Sequence, residues 1–278
     1  MDLDLYFERI GYEDFPACNL RTLRSIVFAH ATSIPFECLD GLSDTPISLD
    51  IDRIVDKLVR RRRGGYCFEQ NALLSAALRQ LGFEIQELSA RVWYNTPLGI
   101  TPPRTHVFLA VTIEEARWLA DCGLGGSTPT GLMELDRISD NQEMLGEVRR
   151  LAPIDGRLVP TFMHQVLYGD QWMDIYEFTG ETMPKIDQEM GNWWTSGHPD
   201  SKFRKNLIVA LLNRDGTRYS IVNNEFLHRR SAEILERIEL CSRNELCDLL
   251  RERFGLELPG IADVGFLYGS PSNDISDQ

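Results

Sequence analysis

The 278 residues are 43% hydrophobic, 26% charged and 9% aromatic, enough for two or three domains and unlike disordered or collagen-like chains. With 29 Lys and Arg against 42 Asp and Glu, the net charge of −13 repels phosphate backbones and argues against nucleic acid as a partner. The acidic, amphipathic start lacks the basic segment and unbroken apolar run of a secretory signal, and no apolar run approaches the ~20 residues needed to cross a bilayer, so the sequence predicts a soluble, cytoplasmic protein with no membrane partner.

In chain order, apolar residues at three-to-four spacing predict helices over Leu3–Ile10, Leu20–Ala31 and Ile51–Val59. Asp50 is the expected N-cap of the third. That helix runs into Arg60, Arg61, Arg62 and Arg63, and Gly64 and Gly65 are expected to end it. A new helix starts at Tyr66 or Cys67 and continues to Leu81, where Gly82 stops it. From Phe83 the period changes to two, giving strands over Phe83–Tyr94, Thr105–Ile113 and Trp118–Asp121. The stretch from Leu124 to Asp170 is turn-rich, with a strand over Thr161–Tyr168 and another over Trp172–Phe178. Asn192–Lys205 reads as a loop or short helix. Strands over Leu207–Leu212 and Thr217–Val222 flank a turn at Asn213–Gly216, as in a hairpin. A helix over Arg243–Phe254, stopped by Gly255, precedes a polar tail from Gly269 that reads as disordered. The sequence contains no internal repeat.

Six cysteines (Cys18, Cys38, Cys67, Cys122, Cys241, Cys247) are scattered without a CxxC pair, which favours reduced thiols, and no His/Cys cluster has metal-ligand spacing. Cys67 stands apart because it opens a helix directly after two glycines. There a sulfur meets the positive end of the helix dipole and nearby backbone N–H groups, which favours thiolate; a buried structural cysteine is the alternative. His106 shares one strand face with Phe108 and Ala110 by alternation. A short turn around Ile113–Ala116 leads to the strand that Asp121 ends, so paired residue numbers should add to about 227–230. His106 then faces a residue between 121 and 124, and an even loop length puts His106 and Asp121 on the same face, where the carboxylate can orient the imidazole. Cys67, His106 and Asp121 together match what nucleophilic cysteine catalysis needs: a thiol, a base and an orienting group.

The strings RRGGYCFEQN (Arg62–Asn71), IPFECL (Ile34–Leu39), PPRTH (Pro102–His106) and DCGLGG (Asp121–Gly126) closely resemble motifs of the arylamine N-acetyltransferase family, in the family's order and over most of the chain. That resemblance implies an α+β fold with an N-terminal helical bundle, a β-barrel and a C-terminal α/β lid around a cysteine-protease-like catalytic core. The corresponding spans are 1–85 with the nucleophile, 86–190 with His106 and Asp121, and 191–278 with a linker and the lid. It further implies acetyl-CoA as donor substrate with no permanently bound cofactor, and small aromatic amines or hydrazines as acceptors, acetylated by a ping-pong route through acetyl-Cys67. Phe36, Tyr66, Leu124 and Phe203 are the implied substrate-binding residues. Thr105, Gly123, Gly125 and Gly126 are the implied acetyl-CoA contacts, although a tight turn after a strand also explains these glycines. Arg63 is expected to pair with Glu37 and support the loop that carries Cys67; a surface ion pair is the plainer alternative.

Three positions depart from the family: Cys38 stands where Asn is usual, and Cys122 and Leu124 stand in DCGLG where DVGFG is usual. An aromatic side chain at 124 could stack on an aromatic amine, which Leu124 does not. A second DVGF string at Asp263–Phe266 copies the family motif but follows no strand paired with His106. A cysteine hydrolase or transglutaminase-like enzyme would share the triad, a carrier-fed amide synthase would share the family, and a non-enzymatic binding module would leave Cys67 no more reactive than Cys241 or Cys247. Oligomeric state is not legible in the sequence.

Overall fold

A computed structural model of the chain describes residues 1–43, 45–97 and 99–256. The expected tail and the Asp263–Phe266 string lie outside the described residues.

The N-terminal part is helical, with α1 (Leu3–Ile10), α2 (Leu20–Ser33), short α3 (Leu39–Leu42), α4 (Ile51–Val55) and α5 (Cys67–Gln80). Asp2, Asn19 and Asp50 cap α1, α2 and α4 by accepting from backbone N–H groups of the first turn. The third expected helix differs in its second half. After Val55 it widens into a single π-helical turn over Asp56–Arg60, and its exit is Arg62 at φ 51° rather than a glycine. Gly64 and Gly65 serve close packing instead. A Cβ on Gly64 would lie 2.3 Å from the Pro35 carbonyl oxygen, and one on Gly65 2.8 Å from Glu69 Oε2. Gly82, at φ +88°, does terminate α5 as its sequence position predicts.

A strand pair of two residues, β1 (Phe36–Glu37), interrupts the helices and joins a sheet far along the chain. The middle of the chain forms an eight-stranded, nearly closed barrel-like sheet. Its strands are β2 (Glu84–Val92), β3 (His106–Ile113), β4 (Ala116–Ala120), β5 (Met133–Glu134), β6 (Gln142–Met144), β7 (Glu147–Pro153), β8 (Phe162–Tyr168) and β9 (Gln171–Thr182), in the order β5-β4-β3-β2-β9-β8-β7-β6. Helices α6 (Lys185–Gly197) and α7 (Lys202–Lys205) follow, where the sequence suggested only a loop or short helix from Asn192. Strands β10 (Ile208–Leu212), β11 (Arg218–Val222), β12 (Glu225–Arg230) and β13 (Glu233–Glu239) then form a five-stranded sheet with β1 at its edge, and α8 (Arg243–Phe254) packs on it. The expected β10–β11 hairpin is present, with Gly216 at φ +81°. Strands β12 and β13 carry so many charged residues that no apolar alternation announces them.

The result is an α+β fold with three cores: one among the helices, one inside the barrel and one between the last sheet and α8. A fourth, small cluster at their junction holds Cys67 with Phe36, Tyr66, Phe68, Val107, Met183 and Ala210. Of the three spans read from the sequence, the 190/191 boundary falls inside α6, and β1 of the first span pairs with β10 of the third. No described helix is long and apolar enough to cross a membrane.

Candidate active site

Cys67 is the first residue of α5, after Tyr66 in extended backbone. Glu69 fixes that start by accepting from the Tyr66 N–H through Oε2 at 3.2 Å. The Cys67 N–H lies in the first turn, where no intrahelical acceptor exists. Its Sγ donates to the Thr105 carbonyl at 3.7 Å, so the residue before β3 borders the Cys67 sulfur.

On β3, alternation sends Phe108 and Ala110 into the barrel core and Leu109 and Val111 into the helical core. His106 shares the barrel-side parity, as its sequence position predicts. The β3–β4 pairing runs from Leu109↔Ala120 to Ile113↔Ala116, a two-residue loop whose odd pairing sum carries Asp121 to the His106 side. His106 Nε2 and Asp121 Oδ2 are 2.8 Å apart, with both side chains buried. Burial by itself pulls the imidazole pKa down. The Asp121 charge and hydrogen bond, with a further hydrogen bond to Cys67, outweigh it and push His106 up to about 10. Burial likewise raises Asp121, but His106, the Asn71 amide and the Gly123 N–H more than offset it and hold the carboxyl below its ordinary range. The site thus brings together a buried cysteine, an imidazole that favours its charged form and a carboxylate that stays ionised.

Asn71, one helical turn after Cys67, was not singled out by sequence reasoning. Its Nδ2 donates to Asp121 Oδ1 at 3.0 Å and to the Val107 carbonyl at 2.7 Å, while its Oδ1 accepts from the Cys122 N–H at 3.0 Å. One side chain therefore ties α5 to β3 and to the turn after β4. The i, i+4 spacing within RRGGYCFEQN was the available signal. Gln70 plays a parallel part on another face, donating to the Pro35 carbonyl at 2.8 Å and pairing with His30 at 2.7 Å. Burial keeps His30 neutral, its pKa lowered to about 4. Tyr176 of β9 packs its ring against His106, centroids 5.1 Å apart.

Arg63 and Glu37 pair as expected, Nη2 to Oε1 at 2.7 Å, but the contact is buried rather than superficial. It extends through Asp40 to Lys57, which also meets Glu69 at 2.8 Å. Since Glu37 Oε2 accepts from the Leu39 N–H and Glu69 from the Tyr66 N–H, the cluster braces both approaches to Cys67. Arg60, Arg61 and Arg62 are exposed.

Phe36, Tyr66 and Phe203 converge beside Cys67. Phe36 and Phe203 have centroids 6.0 Å apart, and Tyr66 and Phe203 meet edge-on at 6.2 Å. Leu124 does not join them and packs against the barrel core. A Cβ on Gly123 would lie 2.5 Å from the Cys67 Cα, and one on Gly125 3.3 Å from the Phe36 ring. Both glycines therefore let the turn approach Cys67 and Phe36 closely. Gly126 meets Arg229, whose guanidinium donates to its carbonyl at 2.6 Å. Cys38 Sγ accepts from the Ile208 N–H and donates to the Asn206 carbonyl, each at 3.3 Å, the donor-and-acceptor role an amide side chain would fill. Burial pushes its thiol up to about 12. Cys122 is a buried member of the helical core.

A family model described as N-acetyltransferase matches residues 19–264. The arylamine N-acetyltransferase of Mycobacterium tuberculosis is 36% identical over 96% of this chain and 93% of its own length, and that of Escherichia coli 37% over 91% and 88%. Among solved structures, the Mycobacterium marinum arylamine N-acetyltransferase in complex with CoA superposes with a TM-score of 0.87 at 35% identity, covering 96% of this chain and 97% of that one.

Proposed function

The chain belongs to the arylamine N-acetyltransferase family, and we propose from that premise that it transfers an acetyl group from acetyl-CoA, by way of Cys67, to an arylamine or arylhydrazine. The observation that carries this reading is the buried His106–Asp121 pair at 2.8 Å, with Cys67 at a helix start bonded to the carbonyl of Thr105, the residue before His106. In the first half-reaction the Cys67 sulfur, its proton already held on His106, attacks the thioester carbonyl. The carbon–sulfur bond to CoA breaks, and the departing thiolate takes the proton from His106. One thioester replaces another, so this exchange is close to isoenergetic.

In the second half-reaction the amine nitrogen attacks acetyl-Cys67. Its proton passes to His106, which restores the charged imidazole beside the released Cys67 sulfur. Developing negative charge on the carbonyl oxygen is stabilised by the Cys67 N–H at the helix start, a donor of a kind worth ~3 kcal/mol. Asp121 stabilises the imidazolium in both halves. Arylamines are weakly basic, so they remain neutral and nucleophilic near pH 7. Burial of Cys67, His106 and Asp121 to 5%, 2% and 1% exposure supports the reading, because water reaching the acetyl-enzyme would waste it.

The donor is assigned to Thr105 and the Gly123, Gly125 and Gly126 turn, and the acceptor ring to the Phe36, Tyr66 and Phe203 group, with Leu124 leaving that wall without an aromatic partner at its position. The test is intact-protein mass after mixing with acetyl-CoA alone. Wild type should gain one acetyl group, Cys67→Ala none, and an arylhydrazine should remove it. Absence of acetylation in wild type would overturn the reading and favour a hydrolase or a carrier-fed synthase.

A further inference from the structure

Helix α6 carries an apolar stripe that the fold leaves uncovered: Ile186, Met190 and Trp193 are 62%, 65% and 64% exposed. Such a stripe ordinarily faces a core. Here its Met190 and Trp193 line a cavity of about 390 Å³, together with Met183, Trp194, Thr105 and Asp187. Its Thr105 and Met183 wall borders the catalytic centre. The Thr105 carbonyl accepts from Cys67 Sγ at 3.7 Å, and Met183 belongs to the same buried cluster as Cys67. None of Phe36, Tyr66, Phe203 or the Gly123–Gly126 turn lines this space, so it shares only Thr105 with the donor and ring contacts assigned above.

Its charge selects the occupant. Arg104, the one guanidinium in the lining, pairs with Glu181 and donates to Ser89 Oγ at 3.3 Å. Asp187 contributes a second carboxylate and makes no ion pair among the described residues. The phosphates of a CoA donor would be repelled by this excess negative charge. A cation would be attracted by it, and the exposed Trp193 indole adds a face on which a cation can rest.

We propose that this cavity is an acceptor subsite for elongated arylamines or arylhydrazides whose far end carries a cationic nitrogen. The apolar body lies along Met183, Met190 and Trp193, the cation sits at Asp187 and Trp193, and the nucleophilic nitrogen is directed past Thr105 to acetyl-Cys67. The assignment rests on the acetyl transfer proposed above, so its test is a direct binding measurement that needs no turnover.

Calorimetric titration would compare an elongated arylamine ending in trimethylammonium with its neutral tert-butyl isostere. Wild type should bind the cationic compound about 10-fold more tightly. Asp187→Asn should remove that preference, and Trp193→Ala should weaken the cationic compound by about 10-fold. Both positions are exposed and outside the cores, and circular dichroism checks that each variant folds. Equal affinity for the two compounds in wild type, or affinities unmoved by either substitution, would overturn the subsite. If the cationic compound binds as expected while acetyl-CoA leaves Cys67 unmodified, acetyl transfer fails and the subsite stands; if Cys67 is acetylated but the preference is absent, the subsite alone fails.

Discussion

Asn71 is the side chain on which the triad's alignment depends most, because three of its contacts converge on groups that must stay fixed. Replacing it by alanine leaves the Cys122 N–H and Val107 carbonyl buried without their partner, at a cost of about 1–3 kcal/mol each, and frees Asp121 Oδ1 on one side. We expect Asn71→Ala to remain folded but to acetylate Cys67 about 100-fold more slowly, the size of effect that follows from small misplacement of catalytic groups. Rapid-quench mass measurement with acetyl-CoA checks this; an unchanged rate would show that His106 and the Gly123 N–H suffice to hold Asp121. Cys67, His106 and Asp121 were legible as candidates because a helix start and hairpin parity place them and the family-like strings surround them. Asn71 was invisible for the opposite reason: amides are common on helices, and only the approach of β3 and the Asp121 turn gives this one its partners. Cys38 makes the same point in reverse. Its sulfur takes backbone contacts that an amide could also make, and so keeps a structural link to β10.

Among elements, α5 and the turn after β4 set the distance between nucleophile and base. Gly123 is required there by proximity, since its missing Cβ leaves room for the Cys67 backbone. Gly82 is required by conformation, since φ +88° is left-handed and the space around it is open. The two alanine variants should therefore behave differently. Gly82→Ala should cost about 1–2 kcal/mol, the strain of a left-handed alanine, and leave the rate of Cys67 acetylation unchanged. Gly123→Ala should cost about 1–3 kcal/mol through overpacking and slow acetylation by about 100-fold as α5 and the turn move apart. Thermal unfolding and acetylation rates measured on both proteins check the contrast, and equal activity in the two would contradict it. Helix and strand types were readable wherever periodicity was strong, as in α1, α2, α5, β3 and the β10–β11 hairpin. Sequence reading misplaced the role of Gly64 and Gly65, because a glycine after a helix looks the same whether it relieves backbone strain or admits a neighbouring chain.

For the whole molecule, the barrel and the last sheet are joined by a buried ionic network. Glu147 of β7 accepts from Arg149 on its own strand and from Arg218 of β11, each at 2.9 Å. Arg149, Arg218 and Arg229 donate to the carbonyls of Ser127, Thr128 and Gly126, so the turn beside Cys67 is held from both sheets. Burial tends to raise the Glu147 pKa, but the two guanidiniums dominate and lower it to about 2 from 4.5. A carboxyl lowered on folding stabilises the protein above its unfolded value, and that contribution, about 3 kcal/mol, is lost as pH falls from 4.5 towards 2. Glu147→Gln should destabilise by about 3–5 kcal/mol at pH 7, because two buried guanidiniums lose their counter-charge, and the gap to wild type should narrow at pH 3. Urea unfolding at both pH values checks the sign; a gap that widens in acid would contradict it. The sequence by itself determined the order of helical and strand-rich regions, the place of Cys67 at a helix start and the shared face of His106 and Asp121, because periodicity, helix starts and hairpin parity act over a few residues. Only the tertiary structure decided that β1 completes the last sheet, that Arg63 and Glu37 lie in a buried five-residue cluster, and that α6 opens a cavity beside Thr105. Those outcomes depend on contacts between segments tens to hundreds of residues apart, which no local pattern encodes.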